Sequence, residues 1–220
     1  CGEINEFSLP VMKAMGIPEV QADLTIRLDP DDDDRRLVLS SELELLGISS
    51  QNLSLEMSLT PGYLTPQTLL AASPRLQKFS FAYQDLGLSA RRDSFCAAQS
   101  GLSIDDYRSL HLGLVKAQAR ELGMEVPDLL WNAYEYANAS GSNVSMSMAP
   151  SGGMGSELFV LMNAPHVLVD RLNLGLSINS QRIELAGLDW RAILPSAEVA
   201  ESIKPEEETL VDVSKLEPIG

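Results

Sequence analysis

Between residues 20 and 59 apolar and polar side chains alternate, and this alternation limits the fold more than any other feature of the chain. Leu24, Ile26 and Leu28 form one period-2 run, and Leu37, Leu39, Leu43 and Leu45 share a face of the segment that returns. Leu53, Leu55, Met57 and Leu59 then oppose Ser54, Glu56 and Ser58. Successive side chains of a strand point to opposite faces, so the pattern predicts antiparallel strands with one wet face. Asp29-Pro-Asp-Asp-Asp-Asp34 reads as the solvated turn between the first two strands, and Gly47 precedes the third.

A second pattern is laid over the first. A short apolar segment ending in proline occurs at Ser8–Pro18, at Thr65–Pro74 and at Ser156–Pro165, each followed within ten residues by a period-2 run. Recurring blocks of this kind predict stacked units that share one core. Residues 8–16 read as a short helix stopped by Gly16 and Pro18, Thr65 as the cap of a second with Pro66 at its first position, and 156–163 as a third. A strand is expected at 76–89, with Phe79, Phe81 and Tyr83 alternating, another through Val144, Met146 and Met148, and a hairpin over 171–186 around Asn179-Ser180.

From about 92 to 140 the pattern becomes helical. Ser103-Ile-Asp-Asp106 outlines a capping box opening a helix that runs to Glu121 or Leu122, and Pro127-Asp128 begins another that ends near Asn138. The expected organisation is helix plus β-meander units over 1–91, a helical insertion over 92–140, a returning β unit over 141–195 completing the same domain, and an acidic tail or linker over 196–220. The fold class is α+β: a curved antiparallel sheet of repeated short-helix/β-meander units with an inserted helical hairpin.

At 220 residues and 45% hydrophobic content the chain can bury a substantial core. With 16 basic against 31 acidic residues it carries a net charge of −15, a field that repels phosphate backbones and anionic headgroups. Nucleic acid is therefore not an expected partner. No apolar stretch approaches the roughly 20 residues of a spanning helix.

The chain opens at Cys1, and its second cysteine is Cys96. A Cys1–Cys96 disulfide in an oxidising compartment, two unpaired thiols and a lipid-modified Cys1 are the readings open to this pair.

Reactive chemistry is hard to assemble. His111 sits on a helical stripe with Tyr107, Leu114, Val115 and Gln118, which suits a half-buried packing role, and exposure is expected for His166 after Pro165. Two cysteines and two histidines far apart lack zinc-site spacing. The Asp29–Asp34 run lacks the glycine and distal glutamate of a calcium loop, and Ser151-Gly-Gly-Met-Gly155 lacks the lysine of a phosphate loop, so the first reads as a turn and the second as a flexible connector. No catalytic, metal or cofactor residue is assigned, and the chain is read as non-enzymatic. The positive signal is apolar. Leu53, Leu55, Met57, Phe79, Phe81, Met146 and Met148 make up the candidate face for a lipid or other apolar ligand, because methionine among leucines suits an adaptable apolar surface.

The amphipathic meander 20–59 and the segment Leu172-Asn-Leu-Gly-Leu-Ser-Ile-Asn-Ser-Gln-Arg-Ile-Glu-Leu185 resemble the β-rich envelope proteins of Gram-negative bacteria, AsmA-like proteins among them. The resemblance implies a periplasmic location, with the chain anchored by or processed from a missing N-terminal segment, a permitted disulfide, and a link to lipid transport or outer-membrane assembly. It carries over no functional residue. The expected partners are a lipid or apolar ligand, or alternatively an envelope protein held by the helical hairpin.

Overall fold

A computed structural model of the chain describes residues 9–31, 35–59, 74–157 and 165–194. Its centre is a seven-stranded antiparallel sheet in which every strand neighbours the one before it in sequence. The strands are β1 (Ala22–Asp31), β2 (Arg36–Leu45), β3 (Ser49–Ser58), β4 (Arg75–Asp85), β5 (Asn143–Met148), β6 (Gly175–Ile178) and β7 (Gln181–Ile183). The meander expected over 20–59 is present. Leu24 stands opposite Leu43 and Leu28 opposite Leu39 across β1–β2, and Leu39 stands opposite Leu55 across β2–β3. A one-residue slip would carry every leucine to the polar side, so the alternation excludes every odd shift from this register.

The opening helix α1 (Leu9–Ala14) also matches expectation. Met12 and Met15, with Ile17 just beyond, are buried against Ile48, with Leu45 and Leu88 packed around them. Gly16 ends the turn at φ +78°, a left-handed conformation that glycine adopts without a Cβ clash. Residues 65–73 and 158–164 of the two later proline-ended segments, the 196–220 tail and residues 32–34 lie outside the described residues; Asp29, Pro30 and Asp31, expected in the turn, instead extend β1 opposite Val38, Leu37 and Arg36. The similarity of the three blocks therefore remains a reading of the sequence.

The inserted segment between β4 and β5 is larger than a hairpin. It comprises α2 (Leu88–Ser100), α3 (Ile104–Glu121) and α4 (Asp128–Ala137). Helix begins at Leu88, where the sequence pattern extended the strand to 89. Gly87 at φ +131° breaks the strand, and Asp85 two residues earlier serves the new helix as an acceptor. The Ser103 capping box forms as expected, with Asp106 N–H donating to Ser103 Oγ at 3.1 Å. Helix α4 covers one end of the sheet: Ala133 is buried with Ile178, Ile183 and Leu185, and Val144 and Leu176 pack alongside.

Segment 171–186 departs from the expected hairpin at its start. Leu172 ends helix α5 (Pro165–Leu172), and the strand begins only at Gly175. Proline is well suited to a first helical turn, and Asn173 at φ +49° terminates the helix. The Asn179-Ser180 turn is as expected, with both residues at positive φ (51° and 65°), the geometry of a two-residue hairpin matched to strand twist. A short α6 (Trp190–Ile193) follows, capped by Asp189.

Candidate functional site

The seven residues of the candidate apolar face all lie on one side of the sheet and in contact register. Leu53 is opposite Phe81, which is opposite Met146; Leu55 is opposite Phe79, which is opposite Met148. Met57 lies one step further along β3, opposite Leu76, after a register shift that passes over Gln77. All seven are partly buried and none fully so. The face continues through Leu39 and Leu43 to β1, where Leu24, Ile26 and Leu28 are 60%, 63% and 57% exposed. At about 4.8 Å between neighbouring strands, the row from Leu28 to Met148 runs roughly 19 Å across the sheet. The methionines divide by environment: Met12, Met15 and Met154 are core, whereas Met57, Met146 and Met148 belong to this face.

The opposite side of the same strands is polar. A depression of about 540 Å³ is lined by Ser40, Ser54, Ser80, Ser145, Ser147 and Ser177 with Asn52, Glu42 and Arg182, and also by Leu53, Phe81 and Met146 of the apolar set. The signal was present as the polar half of each alternation. Its concentration of serines becomes visible only when the strands are placed side by side.

A third feature lies within the inserted helices. A cleft of about 160 Å³ is lined by Arg92, Asp93, Tyr107, Arg108, His111 and Tyr134, among others. Asp93 is 1% exposed and its carboxylate accepts from Arg92 Nη2 at 3.0 Å and Arg108 Nε at 2.7 Å. A buried carboxylate needs such partners, because an unpaired charge there costs several kcal/mol. His111 Nε2 and the Tyr134 hydroxyl are 2.8 Å apart, with the two rings stacked at 6.2 Å. Histidine 111 is thus half-buried beside Tyr107, as its helical stripe suggested. His166 departs from expectation: it is partly buried within α5. The i,i+4 spacing of Tyr107 and His111 could be read from the sequence, but their meeting with Tyr134 on another helix could not.

Tyr83 follows Phe79 and Phe81 on the same side of β4, opposite Val144. Burial pushes its phenol above the ordinary value of 10.0, Asp85 adds to the rise, and Arg92 opposes it. The glycine loop also proves anchored. Leu76 and Met154 exchange backbone hydrogen bonds at 2.7 and 2.8 Å, and Arg75 Nη2 donates to Gly153 O and to Glu157 Oε1. The flexible connector expected from its glycines is therefore tied to β4, because Met154 is a 5% exposed core residue.

Cys96 is 1% exposed, packed with Ala97 and Tyr107; Cys1 lies outside the described residues. Among the described residues no group of three or more His, Cys, Asp or Glu side chains is placed to hold a metal ion, and no helix is long and apolar enough to cross a membrane. Comparison with protein-family models, curated proteins and solved structures found no match to this chain.

Proposed function

We propose that the chain is a non-enzymatic protein of the bacterial periplasm whose apolar sheet face holds acyl chains. What supports this is the apolar row Leu28, Leu39, Leu55, Phe79 and Met148 across five strands, with Leu24 and Ile26 exposed beside Leu28 on β1. An apolar strip this long, open at one edge and rich in adaptable methionine, suits a flexible hydrocarbon better than a rigid ligand with polar groups to recognise. The acidic surface keeps such a carrier off anionic headgroups until a chain is presented.

The test is binding of a fluorescent polyene fatty acid to the full chain. A charge placed on the face, Phe81→Asp, weakens binding at least about tenfold, since the carboxylate must be desolvated by the ligand. Asn52→Asp, exposed on the other face, leaves it unchanged. Equal binding by both variants, or none by the parent, refutes the reading. Replacing His111 and His166 together without loss of cellular function supports the non-enzymatic part. The location is tested through the cysteines: a Cys1–Cys96 bridge, expected in the periplasm, adds two hydrogens to the mass on reduction, whereas alkylation of both thiols without reductant rejects it.

One observation favours a second reading, an envelope adaptor working through the inserted helices. Leu110 and Leu114, one turn apart on α3, are 48% and 60% exposed. Under that reading Leu110→Ser with Leu114→Ser abolishes partner capture and leaves fatty-acid binding intact.

A further inference from the structure

Strand β1 is the end strand of the sheet and, among the described residues, pairs only with β2. Every residue from Gln21 to Pro30 is exposed, and the apolar residues Leu24, Ile26 and Leu28 remain 57–63% exposed in the monomer. Such an edge presents unpaired backbone groups beside an apolar row, a template for another strand. Edges of this kind are normally protected by charges and by proline. Here the charges Asp23 and Arg27 stand on the polar face two residues either side of Thr25, and Pro30 lies towards the far end.

We propose that β1 pairs antiparallel with β1 of a second copy of this chain, with Thr25 on the two-fold axis. In that register Asp23 of each copy faces Arg27 of the other, forming two symmetric opposite-charge pairs on the polar face. On the apolar face Leu24 meets Ile26 and Ala22 meets Leu28. The neighbouring face-matched registers are poorer. Centring on Ile26 puts Asp23 against Asp29 twice, centring on Arg27 puts Arg27 against itself, and centring on Leu24 gives no ion pair. Odd offsets join the apolar face to the polar one and are excluded by the alternation. Cross-strand pairs of opposite charge favour pairing and like charges oppose it. A strand without complementary charges would leave Asp23 and Arg27 unanswered, so the edge selects its own copy. The isologous contact closes after two copies and joins two seven-stranded sheets through their edges. It depends on the edge and charge pattern of β1, not on any ligand.

Sedimentation velocity on the full chain over a range of concentrations tests the pairing. The parent shows a monomer–dimer equilibrium. Asp23→Arg and Arg27→Asp each weaken the dimer about tenfold, because each turns two attractive pairs into repulsive ones. The double variant Asp23→Arg/Arg27→Asp restores parental association. The two single changes shift net charge in opposite directions, so a general charge effect would strengthen one and weaken the other. Both sites are exposed, and unchanged circular dichroism verifies that the fold is kept. A parent that stays monomeric, single variants that dimerise like the parent, or a double variant without rescue each overturn the proposal.

Discussion

The Asp85 carboxylate accepts the amide of Gly141 at 2.8 Å, 56 positions later in the chain, while its other oxygen accepts the amide of Ser89 at 3.0 Å. One buried side chain thus starts helix α2, which has no side-chain bond from its own cap Gly87, and closes the insertion where the chain re-enters the sheet. The backbone completes the closure, with Asp85 N–H donating to Ser142 O at 2.9 Å. Three helices can therefore hang from a β4–β5 pair without disturbing its register.

Asp85→Ala leaves two amide donors without their charged acceptor. The expected loss is about 3 kcal/mol, since hydrogen bonds to charged groups contribute about 1.5–3 kcal/mol each and unmet buried donors add a penalty. Asp85→Asn, which keeps one good acceptor, costs about half as much. Urea denaturation of the purified variants measures both.

The Asp93 network separates buried from exposed electrostatics. Asp93→Ala takes the buried carboxylate from Arg92, whose side chain is 16% exposed, and from Arg108, and costs about 3 kcal/mol. Arg108→Ala removes a partner whose side chain is 47% exposed, and the cost is under about 1 kcal/mol because water substitutes for it. Equal effects of the two changes in denaturation experiments contradict this division.

Glu157 carries the pH dependence of the glycine loop. Its carboxyl is held below the ordinary 4.5, first by the Gly155 amide and its own backbone amide and then by Arg75. A group whose folded value is depressed stabilises the fold above its unfolded value and loses that contribution as pH falls through the folded one. The docked loop is therefore secure at neutral pH and loosens at pH below about 4.5. Amide exchange at Met154, whose N–H donates to Leu76 O, reports the loosening. Glu157→Gln removes the acid dependence.

Ser180 occupies the second central position of the β6–β7 turn at φ +65°. A residue with a Cβ pays roughly 1–2 kcal/mol for that conformation, and Asn-Gly is the pairing such a turn favours. Ser180→Gly raises stability by about 1 kcal/mol, visible as a higher melting temperature with unchanged circular dichroism.

The strands were legible because strand periodicity is local. Leu53, Leu55 and Met57 declare their common face within five residues, and the same rule assembled Phe79 with Phe81 and Met146 with Met148. Helix starts with a local signal were legible too, as at Ser103. Element ends departed from the local pattern where a distant group or a backbone break decided them. Helix α2 starts at Leu88 because Asp85 lies behind it and Gly87 interrupts the strand, and Leu172 is helical because Pro165 opens the segment and Asn173 closes it.

What this sequence determined alone was which side of each strand faces oil and which faces water, since alternation assigns every second side chain to one face. Tertiary structure decided what lies beside what. It set the seven apolar residues side by side in adjacent rows of one face, gathered the serines over one depression, tied the glycine loop through Arg75 and Met154, and left β1 at the edge. Those outcomes depend on side chains from segments tens of residues apart meeting in space, and no period along the chain records such meetings.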